Sequence, residues 1–216
     1  TECFQVSEEI RKDILKENNE LVQLLKEKLK DSSIDENTKN RIREILGDTD
    51  DSRRMEEEAI RYSLWLDSER ASSFFADIVL ICEGATEKTF INYLLKNEWT
   101  DLREKKIYVL DAMGKFNIHR YMNLFKALGI RHSVLVDRDE NKNVHEIINQ
   151  FIKENKNEYT IEIYFFNENI EDFLGIPTPP PSRKDKRPLN VMLRYKNNEI
   201  EKTKINQLKD IIKRLV

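Results

Sequence analysis

Cysteine, histidine and glycine are scarce in this sequence. Its 216 residues include two cysteines, three histidines and five glycines. Cys3 and Cys82 lie far apart, and His119, His132 and His145 do not have the spacing of metal ligands. The composition therefore argues against a Cys/His zinc site and against a disulfide-stabilised fold.

Long apolar runs are also missing. No stretch approaches the roughly 20 apolar residues that cross a bilayer, and the opening TECFQVSEEI is polar and acidic, unlike a signal peptide. We therefore expect a cytoplasmic protein without a membrane partner. The sequence contains no GxxxxGK[ST] phosphate-binding loop, which excludes a P-loop ATPase within these residues.

Charged residues are abundant, at 36% of the sequence, and they are unevenly distributed. Residues 176–216 hold eleven Lys/Arg and four Asp/Glu, a net charge of +7, which leaves −10 for the rest of the chain. Such a basic strip can hold a polyanionic substrate near an acidic metal site. Alternatively, these charges belong to solvated helix faces.

Residues 1–70 are predicted to be helical. Ser7 is a candidate cap for a first helix, a second stops at Gly47, and a third follows the DTDDS segment. Their apolar stripes are narrow, so we expect these helices to pack on another domain or subunit. The residues that form the stripes are Ile10, Ile14, Leu21, Leu24, Leu25, Leu29, Ile42, Ile45, Leu46, Met55, Ala59, Ile60 and Leu64.

From Asp77 onward, short apolar runs alternate with amphipathic stretches. The runs are DIVLIC, KIYVL, HSVLV and YTIEIYFF. This alternation predicts an α/β fold with a mostly parallel sheet covered by helices on both faces. A proline-rich loop follows at residues 175–188, and two helices are predicted near 189–197 and 201–215. We divide the chain into a helical extension (1–70), an α/β core (71–190) and a C-terminal helical segment (191–216).

Acidic residues collect where three of the predicted strands end. Glu83 follows DIVLIC, with Glu87 in the first turn of the next helix; Asp137 and Asp139 follow HSVLV, and Glu171 comes shortly after YTIEIYFF. Ligands bind at this edge of a parallel sheet. Oxygen ligands favour Mg²⁺ or Mn²⁺, and mutual repulsion among five carboxylates favours one or two such ions.

Each acid also has a plainer interpretation. Glu83, Glu87 or Glu171 alone is typical of an acidic helix terminus, and a DxD pair is common in loops; the ordered set is what favours a metal site. A second open question concerns Asp111, which precedes Ala-Met-Gly-Lys-Phe-Asn. Gly114 and Lys115 can admit a phosphate, or the segment is an ordinary connection capped by Asn117.

These motifs resemble a known family. VLICEGATEKTFINYLL is similar to the first Toprim motif and VLVDRDE to the second. LWLDSERASSFFADIVLICEGATEKTF, DAMGKFNIHRYMNLFKALGI and NENIEDFLG resemble corresponding segments of the OLD (overcoming lysogenization defect) endonucleases. The resemblance covers about residues 64–190. It implies a Toprim core that cleaves or nicks DNA with Mg²⁺ or Mn²⁺.

The resemblance also implies residue roles. Glu83, Glu87, Asp137, Asp139 and Glu171 would be metal ligands, and Glu83 also a candidate base. The family uses a downstream lysine, for which Lys186 is the first choice and Lys184 the second. These two lysines, Arg187 and Lys115 would bind phosphate or DNA.

The implied partners are DNA, an ATPase domain or subunit of the same system, and further copies of the full-length protein. The resemblance also implies a role in bacterial defence against phage, in which many relatives act. One alternative is a catalytically silent Toprim module that serves in assembly or DNA docking. Another is a phosphoacceptor receiver domain, which fits less well because it needs an acid pair at the first strand and a single acceptor, here Asp137, at a central strand.

Overall fold

A four-stranded, all-parallel sheet lies at the centre of the molecule. The computed structural model describes residues 8–47, 70–139 and 143–216. The strand order is β2-β1-β3-β4, with each neighbouring pair parallel. The strands are β1 (Ile78–Cys82), β2 (Ile107–Asp111), β3 (His132–Asp137) and β4 (Thr160–Phe166). The predicted α/β class and all four predicted strands are confirmed.

Helices precede, connect and follow the strands. The α-helices are α1 (Glu8–Lys30), α2 (Glu36–Leu46), α3 (Ala85–Asn97), α4 (Ile118–Ala127), α5 (Asn143–Glu154), α6 (Ile170–Leu174), α7 (Arg187–Lys196) and α8 (Lys202–Leu215). Short 3₁₀ segments are η1 (Arg70–Phe75), η2 (Thr100–Lys105), η3 (Lys115–Asn117) and η4 (Pro181–Lys186). The predicted Ser7 cap and the helix predicted after the DTDDS segment lie outside the described residues.

The sheet is covered on both faces, which explains why its central strands are apolar throughout. Every residue of β1 and β3 is buried. On one face, Leu80 belongs to a hydrophobic cluster with residues of α3, α7 and α8, such as Phe90 and Leu208. On the other face, Val79 and Ile81 belong to a cluster with residues of α4 and α5. Burial of these side chains is the main stabilising contribution to the fold.

Helices α1 and α2 complete the second cluster. Leu21, Leu25 and Ile42 are almost fully buried and belong to the same cluster as β1 and β3. The narrow apolar stripes of this pair therefore pack on the α/β core. Helix α8 likewise belongs to the first cluster. The division of the chain at residues 70 and 190 stays a prediction, since hydrophobic contacts cross both boundaries.

Local sequence sets the bounds of α2. The side chain of Asp35 accepts hydrogen bonds from the Thr38 amide, at 3.0 Å, and from the Thr38 hydroxyl, at 2.6 Å, which caps the helix. The helix ends where Gly47 takes a positive φ of 59°, as its sequence predicts. Across the described residues, none of the helices has the length and apolar character needed to span a bilayer.

Candidate functional site

Two of the predicted acids meet because their strands are neighbours. Strand β1 runs into Glu83 and strand β3 ends at Asp137; the two strands pair in parallel, so both ends lie at the same edge. The backbone amide of Asp137 donates to Glu83 Oε2 at 3.3 Å. The contact joins residues 54 positions apart, and it forms the centre of the acidic edge.

Glu87 lies in the first turn of α3 and is only 3% exposed. Its Oε2 accepts a hydrogen bond from the Gly84 amide at 3.1 Å, which satisfies a donor at the helix N-terminus. This helix-terminal role is one of the two interpretations given to Glu87 above. Glu87 is buried beside the other acids, and its role as a metal ligand stays a prediction.

Lys115 is a buried cation beside Glu83 and Asp139. It is 2% exposed, and its Nζ lies 3.0 Å from Asp139 Oδ2 and 3.9 Å from Glu83 Oε2. On the other side of Asp139, His145 Nδ1 lies 3.0 Å from the same Oδ2. Asp139 has a positive φ of 54°, a backbone conformation that Asp adopts more readily than most residues. Asp139 is thus fixed between two basic side chains.

A second cation, Arg187, contacts Glu171 and Asp137. Arg187, at the start of α7, donates to both carboxylate oxygens of Glu171, with Nε 2.6 Å from Oε1. Its Nη2 also lies 3.6 Å from Asp137 Oδ2. Glu171 is fully buried, so this two-point contact is what compensates its charge. Asn169 caps the short helix α6, which carries Glu171, through a 2.9 Å bond from the Asp172 amide.

The acids at this edge have unequal proton affinities. Burial raises the pKa of Asp137 well above its usual range, and the charges of Glu87 and Glu83 act in the same direction. Burial likewise raises the pKa of Glu83, against the effect of Lys115, and raises the pKa of Glu87 to about 7. Burial of Asp139 is outweighed by His145 and Lys115, which hold the pKa of that carboxyl far below its usual value.

An open cleft of about 830 Å³ lies over this edge of the sheet. Three of the five predicted acids line it, together with Lys115 and Arg187. The other two acids, Glu87 and Glu171, are buried and do not line it. Helix α2 supplies part of the lining. The lining residues are Asp35, Asn37, Thr38, Arg41, Glu44, Ile45, Glu83, Gly114, Lys115, Phe116, Asp137, Asp139, Asn143, Val144, His145, Asn169, Thr178, Pro179 and Arg187.

The donor set fits a hard divalent cation in chemical type. The acids provide oxygen ligands, and Asp137 Oδ1 is buried without a hydrogen-bond partner. Their present positions do not form a finished site: within the described ranges, no group of three or more His, Cys, Asp or Glu side chains is arranged to hold an ion. The carboxylates instead contact Lys115 and Arg187. These two internal cations offset part of the repulsion that the sequence predicts among the five acids.

The predicted basic residues are placed differently from one another. Lys186 has an exposed side chain and, among the described residues, does not line the cleft, whereas Arg187 does. The side chain of Lys184 lies outside the described residues. Lys115, predicted to bind phosphate, is buried against the acids. The catalytic role of Lys186 and the phosphate-binding roles stay predictions.

The connection after β2 fully matches neither the phosphate site predicted at Gly114 and Lys115 nor an ordinary connection capped by Asn117. The Gly114 amide donates to the Glu83 carbonyl at 2.8 Å, so this amide is not free to bind a phosphate. Asp111 Oδ1 accepts from the Met113 amide at 2.7 Å, which forms a local turn. Asn117 precedes α4 but makes no side-chain cap; its amide group donates back to the carbonyls of Ala112 and Met113.

Sequence reasoning missed three contributors to the site. The spacing of the histidines predicts no site role for His145, although it follows the DxD motif closely in sequence. The sequence predicts that Arg187 binds DNA and does not predict its contact with the acids. It predicts α2 only as part of a linker. The first was detectable from its position two residues into α5, whereas the other two depend on tertiary packing.

The fold and the position of the acids define the class. A parallel four-stranded sheet, with carboxylates following the adjacent central strands β1 and β3, is consistent with a Toprim domain. Residues 74–139 match the family described as "Overcoming lysogenization defect protein-like, TOPRIM domain". The resemblance predicted from the motifs is therefore confirmed over this segment.

Among solved structures, the chain is similar to the C-terminal region of the OLD protein of Xanthomonas campestris pv. campestris. The two are 18% identical, the alignment covers 63% of this chain and 71% of that chain, and the TM-score is 0.34. No curated protein matches the chain.

Proposed function

We propose that this chain is the nuclease part of an OLD-type ATPase–nuclease and hydrolyses DNA phosphodiesters with Mg²⁺ or Mn²⁺. The observation that carries the proposal is that Glu83, Asp137 and Asp139 line a single open cleft at the carboxyl edge of the sheet. The family match covers the same three residues. Carboxylates at this position suit ion-assisted phosphodiester hydrolysis.

The ion would be held by the three acids that line the cleft, Glu83, Asp137 and Asp139. The two buried acids, Glu87 and Glu171, are proposed as further ligands. A bound ion would lower the pKa of a water molecule and stabilise charge on the phosphate. Glu83 is also the candidate base, a role that rests on the family resemblance and on its position at the cleft. Lys115, which also lines the cleft, contacts both Asp139 and Glu83 and fixes their positions.

Positive charge for the substrate would come from the C-terminal part of the chain. Arg187 lines the cleft, and Lys186 and Lys184 precede it in the basic segment. Arg187 now binds Glu171 and Asp137, and a bound ion would release it toward phosphate by taking over those acids. An ATPase domain or subunit, oligomerisation of the full-length protein and a role in anti-phage defence complete the proposal.

Plasmid nicking tests the proposed activity. Purified protein is expected to convert supercoiled plasmid to the open-circular form with Mg²⁺ or Mn²⁺ and not with EDTA. Asp137→Asn is expected to lower the rate by at least about 100-fold, because it removes a carboxylate charge at the centre of the site. Asp172→Asn is the matched control: it makes the same change at an exposed residue next to Glu171, and it should cleave normally.

Equal cleavage by Asp137→Asn and Asp172→Asn would contradict the assignment. So would cleavage that survives EDTA undiminished, since the proposed hydrolysis depends on a divalent ion. Separate single-turnover and binding measurements assign the loss in Asp137→Asn to chemistry or to ion affinity.

A catalytically silent module for assembly or DNA docking is the second candidate. The observation that favours it is that Lys115 and Arg187 already neutralise the acids. Calorimetric titration with Mn²⁺ separates the two candidates. Binding at or below millimolar concentration, lost in Asp137→Asn, supports the nuclease, and absence of binding supports the silent module.

A further inference from the structure

Helix α2 forms part of the wall of the cleft that the acidic edge also lines. Asn37, Arg41 and Ile45 are spaced four residues apart, so they share one face of the helix, and all three line the cleft. The cleft volume of about 830 Å³ is far larger than the roughly 30 Å³ that a water molecule occupies in the liquid. The cleft therefore has room for a ligand that extends from the acids to α2.

The start of α5 holds this wall in place. Asn143 Nδ2, at the first residue of α5, donates to Asp35 Oδ2 at 3.0 Å, at the N-terminus of α2. Two residues later in α5, His145 contacts Asp139. Ile42, fully buried on the inner side of α2, fixes the helix against the core. One turn of α5 thus links the wall to the acidic edge.

Arg41 is the only cation that α2 contributes to the cleft lining described above. Its side chain is 70% exposed, and its Nη1 lies 2.7 Å from Glu44 Oε2, an exposed partner in the next turn. Exposed pairs of this kind are weak, so a stronger anion can replace the carboxylate at little cost. An arginine so placed is suited to two-point contact with a phosphate.

We propose that α2 is a DNA-binding wall of the site and that Arg41 binds a backbone phosphate flanking the scissile one. This inference rests on the proposed nuclease function. It assigns substrate binding to a segment that the sequence presents as a linker. It also gives Glu44 a role as a competitor that occupies Arg41 when DNA is absent.

The chain offers a matched control on the same helix. Arg43 is also exposed, bonds to Glu36 and Asn40, and does not line the cleft. Arg41→Gln and Arg43→Gln therefore remove the same charge and a comparable surface ion pair. Only the first removes a cation from the cleft. Equal melting temperatures of the two variants verify that any difference is one of binding.

The experiment measures binding of a fluorescent DNA duplex by anisotropy over a series of salt concentrations, with Ca²⁺ in place of Mg²⁺. Arg41→Gln is expected to weaken binding about tenfold near 50 mM salt and to reduce the salt slope by about 0.9, the value for one lost phosphate contact. Arg43→Gln is expected to change affinity less than about twofold. Glu44→Gln should tighten binding, because it frees Arg41, whereas Glu36→Gln should not.

Equal affinities and slopes for Arg41→Gln and Arg43→Gln would overturn the inference. If the wild-type protein binds and nicks DNA, that result leaves the proposed nuclease function intact. If the wild-type protein neither binds nor nicks DNA with any divalent ion, the proposed function itself fails. The two failures are thereby distinguished.

Discussion

Lys115 has an unusual environment for a lysine. It is 2% exposed, and the carboxylates of Asp139 and Glu83 provide the charge that compensates its burial. A buried ammonium group without such partners would be strongly destabilising. In return, Lys115 allows acids to lie close together in a largely buried edge. Without an ion, the stability of this edge therefore depends on Lys115.

Replacement of Lys115 by Met is expected to destabilise the metal-free protein by about 2 kcal/mol. This is below the ~3–5 kcal/mol of a fully buried pair, because Asp139 and Glu83 are each more than one-fifth exposed. Urea unfolding in EDTA measures the change. Lys126→Met, which removes a more exposed, partly buried pair with Glu17, is the control and should cost less than about 1 kcal/mol. Equal losses in the two variants would contradict this account of the site.

The sequence predicted the acids better than it predicted their partners. Glu83 and Asp137 were identifiable because each directly follows an apolar strand, and parallel strands end at one edge. The partners of Lys115 and Arg187 were not identifiable. Those contacts join residues that are distant in sequence, and their formation depends on how η3 and α7 pack on the sheet.

At the scale of elements, the contact of α1 with α4 is polar at its centre. His119 Nε2 lies 3.4 Å from the Asn18 carbonyl, and Asn123 Nδ2 donates to Asn18 Oδ1 at 2.9 Å. All three residues are buried. His119 also packs edge-on against Phe151 of α5, with ring centroids 5.4 Å apart. A charged imidazole in this position would be poorly solvated.

Acid is therefore expected to weaken the α1–α4 contact. Burial lowers the pKa of His119 to about 3, with a smaller contribution from Arg120, whereas in the unfolded chain it is near 6.5. Below about pH 6.5, His119 binds a proton in the unfolded state but not in the folded state. The free energy of unfolding therefore decreases as the pH is lowered, by up to about 1.4 kcal/mol per pH unit. Above that pH the group has no effect.

A comparison with His119→Gln isolates this contribution. Glutamine keeps a donor for the Asn18 carbonyl but does not titrate. Urea unfolding between about pH 7.5 and pH 5 should show a steeper loss for the wild-type protein than for the variant. The acids of the cleft titrate equally in both proteins, so their contribution cancels in the difference between the two unfolding free energies. Parallel curves would show that His119 does not carry the dependence.

Element positions were the most predictable part of the fold. Periodicity located β1 to β4 and the helices that follow them, because buried parallel strands and amphipathic helices have distinct patterns. It did not show where α1 and α2 pack. The apolar stripes that contain Leu21, Leu25 and Ile42 indicate a buried face. The pattern does not specify which surface of the protein covers that face.

For the whole molecule, we expect the N-terminal helices and the sheet to unfold together. Leu25 is 1% exposed and belongs to the cluster that contains β1 and β3. Leu25→Ala should cost about 2–5 kcal/mol and lower the melting temperature reported by both helical and aromatic circular dichroism. Ile45→Ala, at a side chain that is 37% exposed, is the control and should cost clearly less. Two separate transitions would show that α1 and α2 form an independent unit.

The path of the chain around the cleft has a consequence for comparing relatives. Residues 74–139 carry Glu83, Asp137 and Asp139, but another part of the lining lies at residues 35–45, and the Asn143–Asp35 hydrogen bond links the two parts. Under the proposed function, the chemistry and part of the DNA binding would come from separate stretches of the sequence. We expect relatives that share this acidic edge but carry no cation at the position of Arg41 to bind DNA more weakly and with a smaller dependence on salt.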